Sequence, residues 1–166
     1  MLVVEDDAIS ASIVGEVLKD WADAELLSRG TETHRRALDL TPDLILLDVL
    51  MPETDGYEVC AQLKNDPATR DIPVIFVSSL ADEAEEARGL LAGAVDYIVK
   101  PISAPVLTAR VRNHLELVRQ RRRLERESGW DDLTELASRS RLEEALEREW
   151  RRALRNKGPI ALVAAG

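Results

Sequence analysis

The 166-residue chain predicts an α/β fold: a doubly wound sheet of five parallel strands with helices on both faces. Two observations lead there. Short apolar runs alternate with amphipathic stretches along the first hundred residues, and each apolar run stops at a polar residue. Near-continuous apolar runs of this length belong to strands buried on both faces. Repeated βα units then return the chain to one sheet as parallel strands.

Taken in order, Leu2-Val3-Val4 is the first strand and ends in Glu5-Asp6-Asp7. Ala8 to Lys19 carries Ile9, Ile13, Val17 and Leu18 at helical spacing. Ala24 to Ser28 is a weak second strand, and Thr31 to Leu40 a helix. Pro42 precedes Leu44-Ile45-Leu46-Leu47, which stops at Asp48. Gly56 to Lys64 is the next helix, and Pro73 opens Val74-Ile75-Phe76-Val77, which stops at Ser78. Asp82 to Leu91 is helical, Gly93 turns the chain out of it, and Tyr97-Ile98-Val99 ends at Lys100-Pro101. Pro105 stands where a fifth helix begins. Val106, Leu107, Val111, Leu115, Val118 and Leu124 continue at helical spacing well beyond the end of a compact unit.

Composition narrows the function classes. Apolar residues make up 45% of the chain and charged ones 32%, as in ordinary globular proteins. No apolar run approaches the length of a membrane span, and the first residues do not resemble a signal peptide. The single cysteine, Cys60, forms no internal disulfide and fits a reducing cytoplasm. One cysteine and two histidines argue against a zinc-type site. Charge is split: residues 1–101 hold 21 acidic and 8 basic side chains, whereas 102–166 hold 10 and 14. That asymmetry marks a boundary near Pro101. Arg119, Arg121, Arg122, Arg123 and Arg126 read as a solvated helix face, so neither nucleic acid nor membrane is the expected partner.

In doubly wound sheets ligands bind beyond the carboxyl ends of the strands. The residues that stop the apolar runs therefore converge: Glu5, Asp6 and Asp7, then Asp48, Ser78 and Lys100. Singly, each has a duller explanation, as turn former, helix cap or surface lysine. Together they describe a chemistry. Clustered carboxylates require a counter-charge, which a hard divalent cation such as Mg²⁺ supplies through oxygen ligands. A carboxylate can attack phosphorus to give an acyl phosphate, with the metal offsetting charge. A hydroxyl and a lysine can hold the remaining phosphoryl oxygens.

Val4-Glu5-Asp6-Asp7, Asp48 with Met51-Pro52 and Asp55-Gly56, Val77-Ser78-Ser79, and Asp96-Tyr97-Ile98-Val99-Lys100-Pro101 resemble the response-regulator receiver family. The resemblance covers residues 2 to about 118. It implies a flavodoxin-like sheet with strand order 2-1-3-4-5 and Asp48 as phosphoacceptor. It further implies Mg²⁺ at Glu5, Asp6, Asp48 and the Leu50 backbone carbonyl, Ser78 and Tyr97 as switch residues, Lys100 as the phosphoryl-binding lysine, and a cis Lys100–Pro101 bond. The implied donor is a histidine kinase or a histidine phosphotransfer protein. On phosphorylation Ser78 moves to the new group and Tyr97 turns inward. Phosphatases of the haloacid dehalogenase type also use a strand-end Asp with Mg²⁺, but theirs is an Asp-x-Asp on the first strand, unlike Glu5-Asp6-Asp7.

Beyond the receiver, Ser128-Gly129 is expected to break the fifth helix, giving a receiver over 1–118 and a helical linker over 119–130. The linker can pair with its copy as a short coiled coil, which would make a phosphorylation-dependent homodimer. Ser140 with Glu143 fits a capping box, Leu142, Leu146, Trp150 and Leu154 make one apolar stripe, and Gly158-Pro159 closes that helix before a strand over Ile160 to Ala165. One helix and one strand cannot bury each other, so 131–166 is expected to be the opening of a partial second domain. Asp131-Asp132-Leu133-Thr134-Glu135-Leu136-Ala137-Ser138-Arg139 resembles the start of the GGDEF domain of diguanylate cyclases, with Glu135 in place of the usual Gly and Ser138 in place of Asn. The GGDEF motif itself is absent, so this chain is not a cyclase as it stands. The resemblance implies either a cyclase output in the parent protein or a degenerate, non-catalytic output acting through protein contacts.

Overall fold

Five parallel strands form the central sheet of the computed structural model, which describes residues 1–20 and 22–128 together with Leu146 and Trp150. They are β1 (Leu2–Val4), β2 (Glu25–Leu27), β3 (Ile45–Asp48), β6 (Val74–Ser78) and β7 (Asp96–Val99), ordered β2-β1-β3-β6-β7. A separate antiparallel hairpin, β4 (Leu50–Met51) with β5 (Thr54–Asp55), follows β3. Counting only strands of the main sheet, the order is 2-1-3-4-5, as the receiver-family resemblance implies. The helices are α1 (Ala8–Leu18), α2 (Thr33–Leu40), α3 (Gly56–Asn65), α4 (Glu83–Leu91) and α5 (Ala104–Ser128).

Alternation along the buried strands divides the core between the two faces of the sheet. Leu2, Val4, Ile45, Leu47, Val74 and Phe76 pack with Ala37 of α2 and with Tyr57, Val59, Cys60 and Leu63 of α3. Val3, Leu46, Ile75, Val77 and Ile98 pack on the other side with Val14 and Leu18 of α1 and with Leu107 and Val111 of α5. Short side-chain caps set the helix starts. Asp7, Asp55 and Asp82 accept from the backbone N–H of Ser10 (2.8 Å), Tyr57 (2.8 Å) and Glu85 (2.9 Å) respectively. Gly93, at φ +97°, supplies the left-handed turn after α4.

Several expected boundaries shift. The helix expected from Thr31 opens with a 3₁₀ turn over Gly30–Glu32, and α2 proper begins at Thr33. Asp82 stands outside α4 as its cap. The β4–β5 hairpin had no sequence signal, because two-residue strands carry no periodicity.

Contacts divide the chain into two compact units, Met1–Glu116 and Leu117–Gly166. In the first lies the whole sheet. In the second, the described residues are the end of α5, on which Leu117 and Leu124 are exposed, and the helical Leu146 and Trp150. The expected capping box at Ser140, the stripe positions Leu142 and Leu154, the Gly158-Pro159 stop, the strand over Ile160 to Ala165, and the GGDEF-like stretch from Asp131 to Arg139 lie outside the described residues. None of the helices among the described residues is long and apolar enough to cross a membrane.

Candidate functional site

Parallel register aligns the strand ends. Val4 of β1 pairs with Leu47 of β3, so Glu5 and Asp48 follow side by side. Asp48 pairs with Val77 of β6, and Ser78 pairs with Val99 of β7, which precedes Lys100. The Lys100 backbone N–H donates to the Ser78 carbonyl at 2.7 Å, and the Lys100–Pro101 peptide is cis.

Lys100 ties the acids together. Its Nζ lies 2.7 Å from Asp48 Oδ2, 2.9 Å from Glu5 Oε1 and 2.8 Å from Glu5 Oε2. Glu5 and Asp48 are each only 4% exposed, so the ammonium offsets charge that burial would otherwise disfavour. Burial lifts the Glu5 carboxyl to about 7; the Lys100 hydrogen bond opposes the rise and the charge of Asp48 adds to it. Burial also works against the charge of Lys100, but hydrogen bonds to Asp48 and Glu5 outweigh it and hold the ammonium above its ordinary value. The second oxygen of the Asp48 carboxylate is fixed too: the Leu50 backbone N–H donates to Asp48 Oδ1 at 3.0 Å.

Asp6, exposed, completes a cluster in which Glu5, Asp6 and Asp48 offer carboxylate oxygens all within 4.8 Å of one another. An all-oxygen, acid-rich set with one open side fits a hard cation of the Mg²⁺ type. Asp7 does not join it. Its side chain caps α1, and the Ser10 backbone hydrogen bond holds its carboxyl below the usual range.

The expected switch residues lie beside the cluster. Ser78 is fully buried, and its Oγ accepts from the Leu80 backbone N–H at 3.1 Å. Tyr97 is turned inward, 3% exposed, with its hydroxyl donating to the Leu80 carbonyl at 3.0 Å. Both residues thus hold opposite groups of Leu80 in the loop before α4.

Sequence reasoning passed over three residues near the site. Tyr57 packs edge-on against Phe76, with ring centroids 5.1 Å apart, and its hydroxyl reaches Glu85 of α4. Arg88 of α4 lies over the Tyr57 ring and meets Asp55. Tyr57 falls within the helix expected over Gly56 to Lys64, and Glu85 and Arg88 within the one expected over Asp82 to Leu91, with no role attached to any of them. Asp55 before Gly56 was the available signal, since an Asp-Gly pair ahead of an apolar periodic stretch marks a cap.

The model of the family described as response regulator receiver domain matches residues 1–112. The phosphate regulon transcriptional regulatory protein PhoB of Rhizobium meliloti is 38% identical over 111 residues, 66% of this chain and 49% of that protein. Response regulator PleD of Caulobacter vibrioides is 37% identical over 114 residues, 68% of this chain and 25% of that protein. The crystal structure of the signal receiver domain of a signal transduction histidine kinase from Syntrophus aciditrophicus is 42% identical. It superposes with a TM-score of 0.62 over 69% of this chain and 88% of that one. The chain spans about a quarter to a half of the length of these curated relatives. Over residues 1–112, this chain belongs to the response regulator receiver domain family.

Proposed function

We propose that Asp48 accepts a phosphoryl group from the phosphohistidine of a histidine kinase or histidine phosphotransfer protein. A Asp48 carboxylate oxygen bonds to phosphorus while the P–N bond to the donor imidazole breaks, leaving an acyl phosphate. The observation that supports this most directly is Lys100 bridging Asp48 and Glu5 beside Asp6 at the carboxyl edge of the sheet. Glu5, Asp6, Asp48 and the Leu50 carbonyl would hold Mg²⁺, which supplies charge neutralisation for acceptor and incoming group. Lys100 holds a phosphoryl oxygen as a compact cation, and the Ser78 hydroxyl donates to another. Leaving Leu80 for the phosphoryl group frees the loop that Ser78 and Tyr97 both hold, and this is the switch.

The test is phosphoryl uptake from acetyl phosphate with Mg²⁺, followed by intact mass spectrometry. Wild type gains one phosphoryl group, and Asp48→Asn gains none. Uptake by the Asn variant would sink the assignment.

For the output, the reading is a diguanylate cyclase in the parent protein, driven by a homodimer that forms through α5 when Asp48 is phosphorylated. The exposed Leu117 and Leu124, seven residues apart on one helix, support pairing. Glu135 and Ser138, which depart from the GGDEF-family pattern, favour a second reading in which the output is non-catalytic and acts by binding. Conversion of GTP to cyclic di-GMP by the beryllofluoride-loaded parent protein separates the two. Gel filtration of the same sample must show a shift toward dimer, or the α5 pairing is wrong.

A further inference from the structure

The polar contacts that leave the acceptor do not stop at the site. The Leu50 N–H holds Asp48 Oδ1, and Leu50 pairs with Asp55 across the β4–β5 hairpin. Asp55 then divides its carboxylate. Oδ1 accepts from the Tyr57 N–H at 2.8 Å, and Oδ2 lies 3.3 Å from the guanidinium of Arg88 on α4. That guanidinium sits 4.0 Å from the Tyr57 ring centroid and 3.6 Å from the Glu85 carboxylate. The Tyr57 hydroxyl donates to Glu85, 2.8 Å from its Oε2 and 3.1 Å from its main-chain carbonyl. The corner between hairpin and α3 also rests on the acceptor strand itself. A Cβ on Gly56 would stand 2.2 Å from the Asp48 carbonyl oxygen and 2.8 Å from Val49 Cα.

We infer that Asp55, Tyr57 and Arg88 form a coupling link that carries the state of Asp48 to helix α4, by a route that starts at the Leu50 N–H and not at Ser78. It rests on the reading of Asp48 as phosphoacceptor. Helix α4 needs such a link, because Gly89 is its one buried residue and its Leu90 and Leu91 are exposed. With little apolar area beneath it, its placement depends on polar contacts. The Arg88–Asp55 pair is partly exposed, and a pair of that kind alone is weak. Stacking on Tyr57 fixes the plane of the guanidinium, which is what makes the contact directional. Burial, and then the Glu85 carboxylate, keep the Tyr57 hydroxyl protonated, so it stays a donor. Arg88 has two carboxylates in reach, Asp55 on the acceptor side and Glu85 on its own helix. An arginine poised between two partners is a two-state element of the kind that coupling requires. Phosphorylation adds charge to Asp48 and changes what its carboxylate accepts from Leu50. The hairpin then shifts Asp55 relative to Arg88, and α4 is released toward Glu85 pairing.

The test is amide hydrogen exchange of the full chain as wild type, Tyr57→Phe and Arg88→Met, each with and without beryllofluoride and Mg²⁺. Occupancy is read separately by ¹⁹F NMR. Without loading, both variants exchange faster over Glu83 to Arg88, by about fivefold for the loss of one hydrogen bond. With loading, wild type changes its exchange over α4, and the variants change less although they bind beryllofluoride as well. A wild type that binds no beryllofluoride overturns the acceptor reading and the coupling with it. Variants that bind it and match the wild-type response of α4 overturn the coupling alone.

Discussion

The two faces of the sheet are built from different materials. Beneath α1 and α5 the core is aliphatic, with Val3, Leu46, Ile75, Val77 and Ile98 closed over by Val14, Leu18, Leu107 and Val111. On the other face Phe76 and Tyr97 from the sheet join the aliphatic strand residues and meet Tyr57 and Cys60 of α3. The hydroxyls of Tyr57 and Tyr97 reach groups of Glu85 and Leu80, in and just ahead of α4. The aliphatic face gains its stability from area and shape, which tolerate no alternative arrangement without a void. The aromatic face adds hydrogen bonds that can exchange partners. One face anchors the domain, and the other is the one on which the proposed switch and coupling link act.

The comparison is broken most severely on the anchoring face. Ile75→Ala should cost about 2–5 kcal/mol, because a fully buried branched side chain leaves a cavity between α1 and α5. Urea denaturation checks it, and a loss well below that range would show that this face can collapse around a void. A smaller effect concerns the site between the faces and depends on pH. The folded Glu5 carboxyl titrates near 7 against an ordinary value of 4.5, so the folded chain binds the proton more tightly than the unfolded one. The contribution of Glu5 is complete below 4.5 and is lost as pH rises toward 7. In metal-free buffer, Glu5→Gln should therefore flatten the decline in stability across that window. Equal slopes for the two proteins would show that Lys100 keeps Glu5 ionised throughout.

On the movable face, Tyr57→Phe removes one hydroxyl and should cost about 0.5–1.5 kcal/mol, far less than Ile75→Ala, while loosening α4. If its thermal unfolding shifts as much as that of the core variant, the contrast between the faces fails. Smallest of all is Ile9→Ala. Ile9 is largely exposed on α1, and the change should stay within about 0.5 kcal/mol of zero.

Much of this was legible beforehand, for identifiable reasons. Leu44 to Leu47 and Val74 to Val77 are runs that fit a doubly buried strand, and each ends on a candidate site residue. Once those strands are parallel, Asp48, Ser78 and Lys100 must share an edge. The β4–β5 hairpin was not legible, being too short to show a period, and neither was the 3₁₀ turn over Gly30–Glu32. Asp7 looked like a third site acid but serves as a cap, because the chain turns into α1 directly after Asp6. Arg88 and Glu85 lie on a helix whose outer face is polar, and a partner 33 residues away for Arg88 leaves no local trace.

Sequence alone was sufficient for the parallel sheet, its strand-end acids and lysine, and the long fifth helix, since periodicity and run termination are local properties of the chain. Tertiary packing was needed for the bridge from Lys100 to both carboxylates, the inward seat of Tyr97, and the chain of contacts from Asp48 to α4. Those depend on the distance and burial of groups far apart in the chain, and both are properties of the folded molecule.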